Sequence, residues 1–309
     1  MKQKTMSNRR DFIKRVGLGA TALSVLPTNV FSESSEMKQL TILHTNDTHS
    51  HIHPFTSGRN KGFGGMAQRA SIIKKVREEG NQVLLLDAGD IFQGTPYFNI
   101  YGGELEFKLM SEMGYDASTI GNHDFDNGID GLVKQLPHAN FPFIVSNYDF
   151  SDTEIEGKYL KYKVFNKGGI KIGVFGIGIE LKGLVPKKLY RNTLYQDPII
   201  QSNHYARHLK ESLGCDLVIC LSHLGFKYKT KKMSDKILAS QSKHIDLIIG
   251  GHTHTFLNKP VVVKNLDKKE VQIAQVGWAG INIGRIDYFF NQKMCVKKVE
   301  GSSIFLKNL

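Results

Sequence analysis

Short apolar runs alternate with longer amphipathic stretches along most of this chain. The strand-like runs lie near residues 40–44, 83–87, 117–120 and 143–146, and the helical stretches between them lie near 66–79, 104–113 and 128–137. Strands that alternate with helices in this way are typical of βαβ units and of a parallel sheet. The pattern therefore predicts an α/β fold for the first half of the chain.

The second half begins after a predicted loop near 149–157 and continues the alternation. The runs 159–165 and 170–177 predict a hairpin around Lys167-Gly168-Gly169. The elements predicted after it are a surface excursion over 178–198, a helix near 199–213, a strand over 217–221, a helix near 233–240 and a strand over 245–249. The tail, 260–306, carries short alternating runs that favour antiparallel strands.

Five of the apolar runs are followed, within a few residues, by segments that contain aspartate, histidine or asparagine. The five segments are Asp47-Thr48-His49, Gly89-Asp90, Gly121-Asn122-His123-Asp124, Ser222-His223 and Gly250-Gly251-His252-Thr253-His254. In open α/β sheets, ligands bind outside the carboxyl ends of the strands. The five segments are therefore predicted to meet in one site.

Carboxylate and imidazole side chains together are typical of a hydrolytic metal site. Neutral imidazoles bind zinc, iron or manganese, and carboxylates add negative charge. Two divalent ions about 4 Å apart can hold both the attacking and the leaving oxygen of a phosphoryl transfer. Asp90 is the candidate bridge, because each carboxylate oxygen can bind one ion. Taken singly, Asp90 could instead cap a helix and His223 could be a core histidine, but the ordered set of five favours metal.

The order of these segments resembles that of the calcineurin-like metallophosphoesterases. Three stretches, 43–47, 86–96 and 121–126, are similar to the signatures of the 5′-nucleotidase branch of that family. The resemblance covers roughly residues 38 to 290. It implies a four-layer αββα sandwich, within the α/β class, with a binuclear metal site.

The resemblance also implies roles for individual residues. One metal ion would be bound by Asp47, His49, Asp90 and His254, and the other by Asp90, Asn122, His223 and His252. His123 would stabilise the transition state with Asp126 as its partner, and Asn122 and His123 would contact the substrate. A carboxylate bonded to one ring nitrogen fixes the tautomer and favours the imidazolium. That cation can face a phosphoryl oxygen or protonate the leaving alkoxide. Many relatives have glutamate where this chain has Asp124.

The function implied is that of an exported phosphohydrolase with two divalent ions, drawn from zinc, manganese, iron or cobalt. It would cleave phosphomonoesters, such as 5′-nucleotides or related nucleotide and sugar phosphates, by in-line attack of a metal-bound hydroxide. A metal-dependent phosphodiesterase or nuclease is an alternative, since the same site serves diesters and the chain is basic. A non-catalytic exported metal-binding module is another, although His123 and Asp126 argue against it. No stable nucleic-acid partner is expected.

Full-length members of the 5′-nucleotidase branch carry a second domain that binds the nucleoside. Because this sequence ends at Leu309, two expectations stay open: simpler phosphate esters as substrates, or a separate chain that supplies nucleotide specificity. Phe92, Phe125 and Trp278 could stack on a base, but aromatic rings more often pack in the core. Little discrimination among nucleobases is expected.

Residues 1–32 are predicted to be a twin-arginine-type signal peptide, and residues 33–309 the catalytic domain. The stretch 8–14, which contains Arg9 and Arg10, resembles that export signal. The apolar stretch 16–26 is too short to span a bilayer as a helix. An ordinary basic amphipathic helix is the alternative. The twin-arginine machinery would then export a soluble protein to the periplasm or the extracellular space.

Composition and charge change this picture little. The 309 residues, 40% of them hydrophobic, are enough for one large core. The predicted signal peptide carries +5 of the net charge of +12, and the remainder either steers anionic substrates or forms a solvated lysine-rich face. Cys215, Cys220 and Cys295 are an odd number with no CxxC spacing, so no disulfide is assigned.

Overall fold

A computed structural model describes residues 37–307, and the predicted signal peptide lies outside them. The strands are β1 (Lys38–Thr45), β2 (Gln82–Asp87), β3 (Ala117–Ser118), β4 (Tyr148–Asp149), β5 (Tyr162–Lys167), β6 (Ile170–Ile177), β7 (Leu194–Tyr195), β8 (Leu217–Ser222), β9 (Leu247–Gly250), β10 (Val261–Lys264), β11 (Glu270–Ala274), β12 (Asn282–Phe290) and β13 (Val296–Phe305). The α-helices are α1 (Met66–Glu78), α2 (Pro96–Tyr101), α3 (Glu104–Glu112), α4 (Gly128–Gln135), α5 (Lys187–Tyr190), α6 (Pro198–Arg207) and α7 (Asp235–Gln241).

Most of the strands form two sheets. The first has the order β13-β12-β1-β2-β3 and the second the order β10-β11-β9-β8-β6-β5, while β4 and β7 form a separate pair. β1, β2 and β3 are mutually parallel, and so are β6, β8, β9 and β11. Parallel strands buried on both faces read as nearly continuous apolar runs, which explains why these strands stand out in the sequence.

Apolar side chains form three clusters, one in each space between neighbouring layers of the fold. Between the two sheets, Ile42 and Leu84 of the first share a cluster with Ile219 and Ile249 of the second. A second cluster joins α1, α3 and α4 to the outer face of the first sheet. A third joins α6 and α7 to the outer face of the second sheet. The layers therefore follow the order helix, sheet, sheet, helix, which confirms the predicted αββα sandwich.

Several elements differ from the sequence prediction. The run 143–146 forms only single bridges, with Phe143 beside Ser118 and Ile144 beside Leu160, because it passes between strands without a continuous neighbour. In the tail, β10 and β11 pair antiparallel as predicted, and so does β12 with β13 and with β1, but β11 also lies parallel to β9. Apolar alternation identifies a strand but does not select its partner. The excursion 178–198 contains α5 and β7.

Helix α2 is absent from the prediction although its start carries a local signal. Thr95 precedes it and accepts a hydrogen bond from the backbone N–H of Phe98, and Pro96 occupies the first helical position. Both features favour a helix start. Among residues 37–307, no helix combines the length and the apolar composition needed to cross a bilayer.

Candidate metal centre

The five polar segments meet at the carboxyl ends of the parallel strands. Backbone hydrogen bonds join the loop after β1 to the loop after β2: the N–H of Asp47 donates to the carbonyl of Gly89 at 2.9 Å, and that of His49 to Asp90 at 3.1 Å. The N–H of Ala279 donates to the carbonyl of Asp47 at 2.7 Å. Three loops that are distant in sequence are thus fixed to one another.

The first group of possible ligands consists of Asp47, His49 and His254. One ligand atom from each lies within 4.8 Å of the others. The Nε2 atoms of His49 and His254 are 3.0 Å apart, and Nε2 of His254 lies 3.4 Å from Oδ1 of Asp47. Nδ1 of His49 lies 3.1 Å from the carbonyl of Phe92, and a proton donated there leaves Nε2 with a lone pair for a metal.

The second group consists of Asp90, His223 and His252, with the same spacing. Nε2 of His223 lies 3.0 Å from Oδ2 of Asp90, and its Nδ1 donates to the carbonyl of Ala88 at 2.7 Å. Oδ1 of Asn122 lies 2.7 Å from Nδ1 of His252, which adds an amide oxygen to the group. The site therefore gathers all seven residues predicted as ligands.

The two groups adjoin each other. Oδ1 of Asp47, in the first group, lies 3.9 Å from Nε2 of His223, in the second. Burial lowers the pKa of His49, in the first group, and the negative charge of Asp90, in the second group, opposes this shift. This arrangement suits a bridging role for Asp90, which stays a prediction.

The donor atoms fit a pair of divalent cations. Imidazole nitrogens and carboxylate oxygens approach to 3.0–3.4 Å with their lone pairs facing one another, which is repulsive unless a proton or a cation lies between them. Nε2 of His223 is buried and makes no hydrogen bond of good geometry. A mixed set of nitrogen and oxygen ligands suits zinc, manganese, iron or cobalt.

The buried charges shift the pKa values of these groups strongly. Burial opposes charge on both partners, but the mutual attraction of Asp90 and His223 prevails: it lowers the pKa of Asp90 and raises that of His223 to about 10. Burial lowers the pKa of His252 to about 4, so this imidazole is neutral at pH 7. A divalent cation can replace the proton between these groups, because it neutralises the carboxylates and is bound by imidazole in its neutral form.

Five of the candidate ligands have left-handed backbones. The φ angles are 48° at Asp47, 46° at His49, 55° at Asp90, 70° at His252 and 50° at His254. Non-glycine residues in this region cost on the order of 1–3 kcal/mol each, and such strain clusters at functional sites. The fold therefore holds these side chains in place at an energetic cost.

The glycine before Asp90 and the glycine before Asn122 lie against each other. Gly89 has φ of 85°, and a Cβ there would stand 2.6 Å from the backbone nitrogen of Gly121. A Cβ on Gly121 would overlap Oδ1 of Asp90. These two positions need glycine because the loops after β2 and β3 touch there, next to the Asp90 carboxylate.

His123 lies beside the second group. Its backbone N–H donates to Oδ1 of Asp90 at 2.8 Å, and Nδ1 of its ring lies 3.1 Å from Oδ2 of Asp126. Burial alone would lower the pKa of His123, but the bond to Asp126 and the charge of Asp90 outweigh it and raise the pKa. The side chain is 32% exposed, so the ring can meet a substrate. The side-chain nitrogen of Gln93 lies 3.3 Å from its Nε2.

Asp124 has a positioning role that the sequence reasoning missed. Its carboxylate accepts four backbone hydrogen bonds, from Asp90 at 3.0 Å, Ile91 at 2.9 Å, Phe92 at 3.1 Å and Gly121 at 2.8 Å. These bonds attach the loop that carries Asp90 to the loop that carries Asn122. An acid next to His123 was visible in the sequence, but its partners were not.

Asn46 fastens Asp47 in a similar way. Its side-chain nitrogen donates to Oδ2 of Asp47 at 2.6 Å and to the carbonyl of Gly277 at 2.7 Å, and its Oδ1 accepts from the N–H of Val276 at 2.9 Å. The first ligand loop is thereby attached to the turn before β12. In the sequence, only the position of Asn46 next to Asp47 indicates this supporting role.

Asparagine at position 124 should weaken metal binding. It offers one oxygen instead of two, and its NH₂ group would face backbone N–H donors. Each buried N–H left unpaired costs about 1–3 kcal/mol, and loss of a group that orients ligands typically costs about 10–100-fold in metal affinity. Metal content after dialysis, and the melting temperature, should fall in Asp124→Asn. Asp124→Glu, which keeps the carboxylate, should lose far less; equal losses in both variants would contradict this role.

The remaining candidates separate by burial. Phe92 and Phe125 are 1% and 0% exposed and pack in the core, whereas Trp278 is partly exposed and stacks on His254. Cys215, Cys220 and Cys295 are all free thiols.

Residues 40–256 match the calcineurin-like phosphoesterase family, and the chain belongs to this family. Its members are phosphoester hydrolases that use divalent metal ions, which agrees with the two groups of ligands described above. The family resemblance stated from the sequence is thereby confirmed.

Known proteins similar to this chain include several 5′-nucleotidases. It is 36% identical to a snake venom 5′-nucleotidase of Gloydius brevicauda, over 88% of this chain and 49% of that protein. It is 31% identical to the 5′-nucleotidase of Bos taurus, over 87% and 50%. The crystal structure of a 5′-nucleotidase precursor from Thermus thermophilus superposes with a TM-score of 0.77 at 30% identity, over 87% of this chain and 55% of that one. The chain thus spans about half the length of the curated relatives that it matches.

Proposed function

We propose that this chain is a phosphomonoesterase that uses two divalent ions, and that its substrates are 5′-nucleotides or related nucleotide and sugar phosphates. The observation that carries the proposal is the pair of adjoining ligand groups with the His123 ring beside them. The similarity to proteins named 5′-nucleotidases supports nucleotides as the substrate class.

In this proposal, Asp47, His49, Asp90 and His254 hold one ion, and Asp90, Asn122, His223 and His252 hold the other. When bound, such ions neutralise phosphoryl charge and make water a better nucleophile. The residues of the chain supply orientation and protons. Asp126 accepts a hydrogen bond from Nδ1 of His123 and keeps the ring charged. As the bond from phosphorus to the water oxygen forms and the ester P–O bond breaks, the proton on Nε2 would pass to the leaving oxygen, and a proton released by the water would return to the ring, so that water and ester become phosphate and alcohol.

A substrate screen on a metal-loaded sample tests this proposal. We expect hydrolysis of phosphomonoesters, with kcat/KM for four nucleoside monophosphates differing by less than about a hundredfold. Stronger discrimination requires buried polar groups that match one base and are left unpaired by another, and none is evident in this site. A fully metallated sample without turnover on any monoester would contradict the proposal and favour a metal-binding module.

A basic loop makes phosphodiester hydrolysis the second candidate. Lys227, Lys229, Lys231 and Lys232 are exposed on the loop between β8 and α7. The loop is fixed beside the ligand loop after β9, because the N–H of Phe226 donates to Oγ1 of Thr253 at 2.9 Å. Clustered lysines favour a polyanion and make its binding depend on salt. A bis-ester cleaved faster than any monoester, with strongly salt-dependent binding of nucleic acid, would establish this function instead.

We also propose that the protein is exported through its twin-arginine-type signal. The motif around Arg9 and Arg10 supports this, as does the similarity to nucleotidases found in snake venom. Arg9→Lys combined with Arg10→Lys should retain the precursor in the cytoplasm and leave its activity in vitro unchanged. Unaltered export of the double variant would point to another route.

A further inference from the structure

Aromatic rings collect on one side of the candidate metal centre. The indole of Trp278 lies nearly parallel to the imidazole of His254, with 10° between the planes and 5.7 Å between the centroids. This is the offset-stacked arrangement that aromatic pairs favour. Trp278 is therefore placed directly against a candidate ligand of the first metal ion.

Two rings from the loop after β1 extend this cluster. His51 approaches Trp278 edge-on, at 5.4 Å and 88°, and Phe55 lies 5.8 Å from Trp278 and 4.9 Å from His51. All three side chains are partly exposed, unlike the buried Phe92 and Phe125. The molecule thus places aromatic surface at the rim of the site and leaves part of it open.

A cavity adjoins the outer end of this cluster. It measures about 430 Å³ and is lined by His53, Phe55 and Lys61, among others. Its volume suits a nucleoside-sized group, and its lining combines an aromatic ring with polar and charged side chains. Phe55 belongs to both the cavity and the ring cluster, so the two form one surface that leads toward His254.

We propose that Trp278 and Phe55 form a stacking platform that binds the nucleobase of the leaving group. This inference rests on the proposed phosphomonoesterase function, since the ester must reach the same centre. The occupant is a planar heteroaromatic ring, because a flat ring matches the partly exposed aromatic surface that Trp278 and Phe55 present together. Base stacking tolerates every base, as each has a π-face. The platform therefore favours nucleotides over sugar phosphates without selecting one base, in agreement with the expected base tolerance.

The single tryptophan of the chain gives a test that is independent of catalysis. Trp278 is the only tryptophan, so the indole fluorescence of the protein reports on this position alone. We expect adenosine, which carries no phosphate, to quench this emission saturably in the full chain, whereas ribose should not. Phe55→Leu should weaken adenosine binding by roughly tenfold. Phe63→Leu is the matched control, because that ring packs on Phe305 instead.

Kinetics connect the platform to the reaction. Adenosine monophosphate and ribose 5-phosphate share the sugar and the phosphate, and they differ in the base. We expect Phe55→Leu to lower the ratio of their kcat/KM values by roughly tenfold, mainly through KM for the nucleotide. Trp278→Phe should keep more of the ratio than Trp278→Leu, because it retains an aromatic ring. Phe63→Leu should leave kcat/KM unchanged for both substrates.

The outcomes separate the two proposals. If no phosphomonoester in the screen, these two included, is hydrolysed by the metal-loaded protein, the phosphomonoesterase function is wrong, while saturable quenching that depends on Phe55 would still establish the platform. If both phosphates are hydrolysed and the ratio is unchanged in Phe55→Leu and Trp278→Leu, the platform does not serve the leaving group. Emission that adenosine does not change would overturn the inference directly.

Discussion

Alanine in place of Asp90 should remove both metal ions and lower kcat/KM by about four orders of magnitude. The Asp90 carboxylate lies 3.0 Å from Nε2 of His223 and accepts a hydrogen bond from the backbone N–H of His123. Its negative charge also opposes the lowering of the His49 pKa by burial in the first group. A pair of divalent ions contributes several kcal/mol to the stabilisation of a phosphoryl transition state, and about 1.4 kcal/mol corresponds to a factor of ten in rate. Elemental analysis and steady-state kinetics on the same samples give the measurement.

Two further variants make the Asp90 result specific. His254→Ala removes a candidate ligand of the first group alone, so it should chiefly weaken one ion. Asp130→Ala changes an exposed acid that pairs with Arg191 outside the site, and it should keep both ions and full activity. A variant Asp90→Ala that keeps two ions, or that loses no more metal than His254→Ala, would show that Asp90 is not the bridge.

Alanine in place of His123 should keep both ions and abolish most turnover. The His123 ring forms a hydrogen bond with Asp126 and belongs to neither of the two ligand groups. A positioned acid–base group typically contributes about 10²–10⁴-fold, so kcat should fall by this factor with metal content unchanged. Asp126→Asn should lose less, because Asp126 only orients and charges the ring.

His138→Ala is the matched control for His123, since His138 is a partly exposed histidine that lies near Glu104 and outside the site. It should leave kcat unaltered. Loss of metal in His123→Ala would instead mean that the imidazole binds an ion, and the proposed division between metal ligands and the acid–base pair would then be wrong.

The sequence predicted ligand residues best where a polar residue follows a strand that is buried on both faces. The strands β1, β2, β8 and β9 are buried on both faces, so each reads as an apolar run, and a polar residue placed directly after such a run is conspicuous. This is why residues such as Asp47, Asp90 and His223 could be proposed as ligands from the sequence.

The pairing of the strands and the hydrogen bonds that hold the ligand loops were less predictable, because both depend on contacts between distant segments. The strand pattern of β11 and β12 was clear, but the neighbours that these strands select were not. Asp124 and Asn46 were inconspicuous, since their roles consist of hydrogen bonds to loops from other parts of the chain. Core packing was the favoured expectation for Trp278 because of its ring type, and its partial exposure beside His254 could not be predicted from the sequence.

A metal titration of the full chain after chelation tests the binuclear centre most directly. Zinc or manganese is added back in steps, and phosphomonoesterase activity and bound metal are measured on the same samples. We expect activity to be absent in the chelated protein and to rise to a plateau only when two ions are bound per chain. Full activity with one ion per chain, or activity that survives complete removal of metal, would contradict a binuclear centre formed by these seven residues.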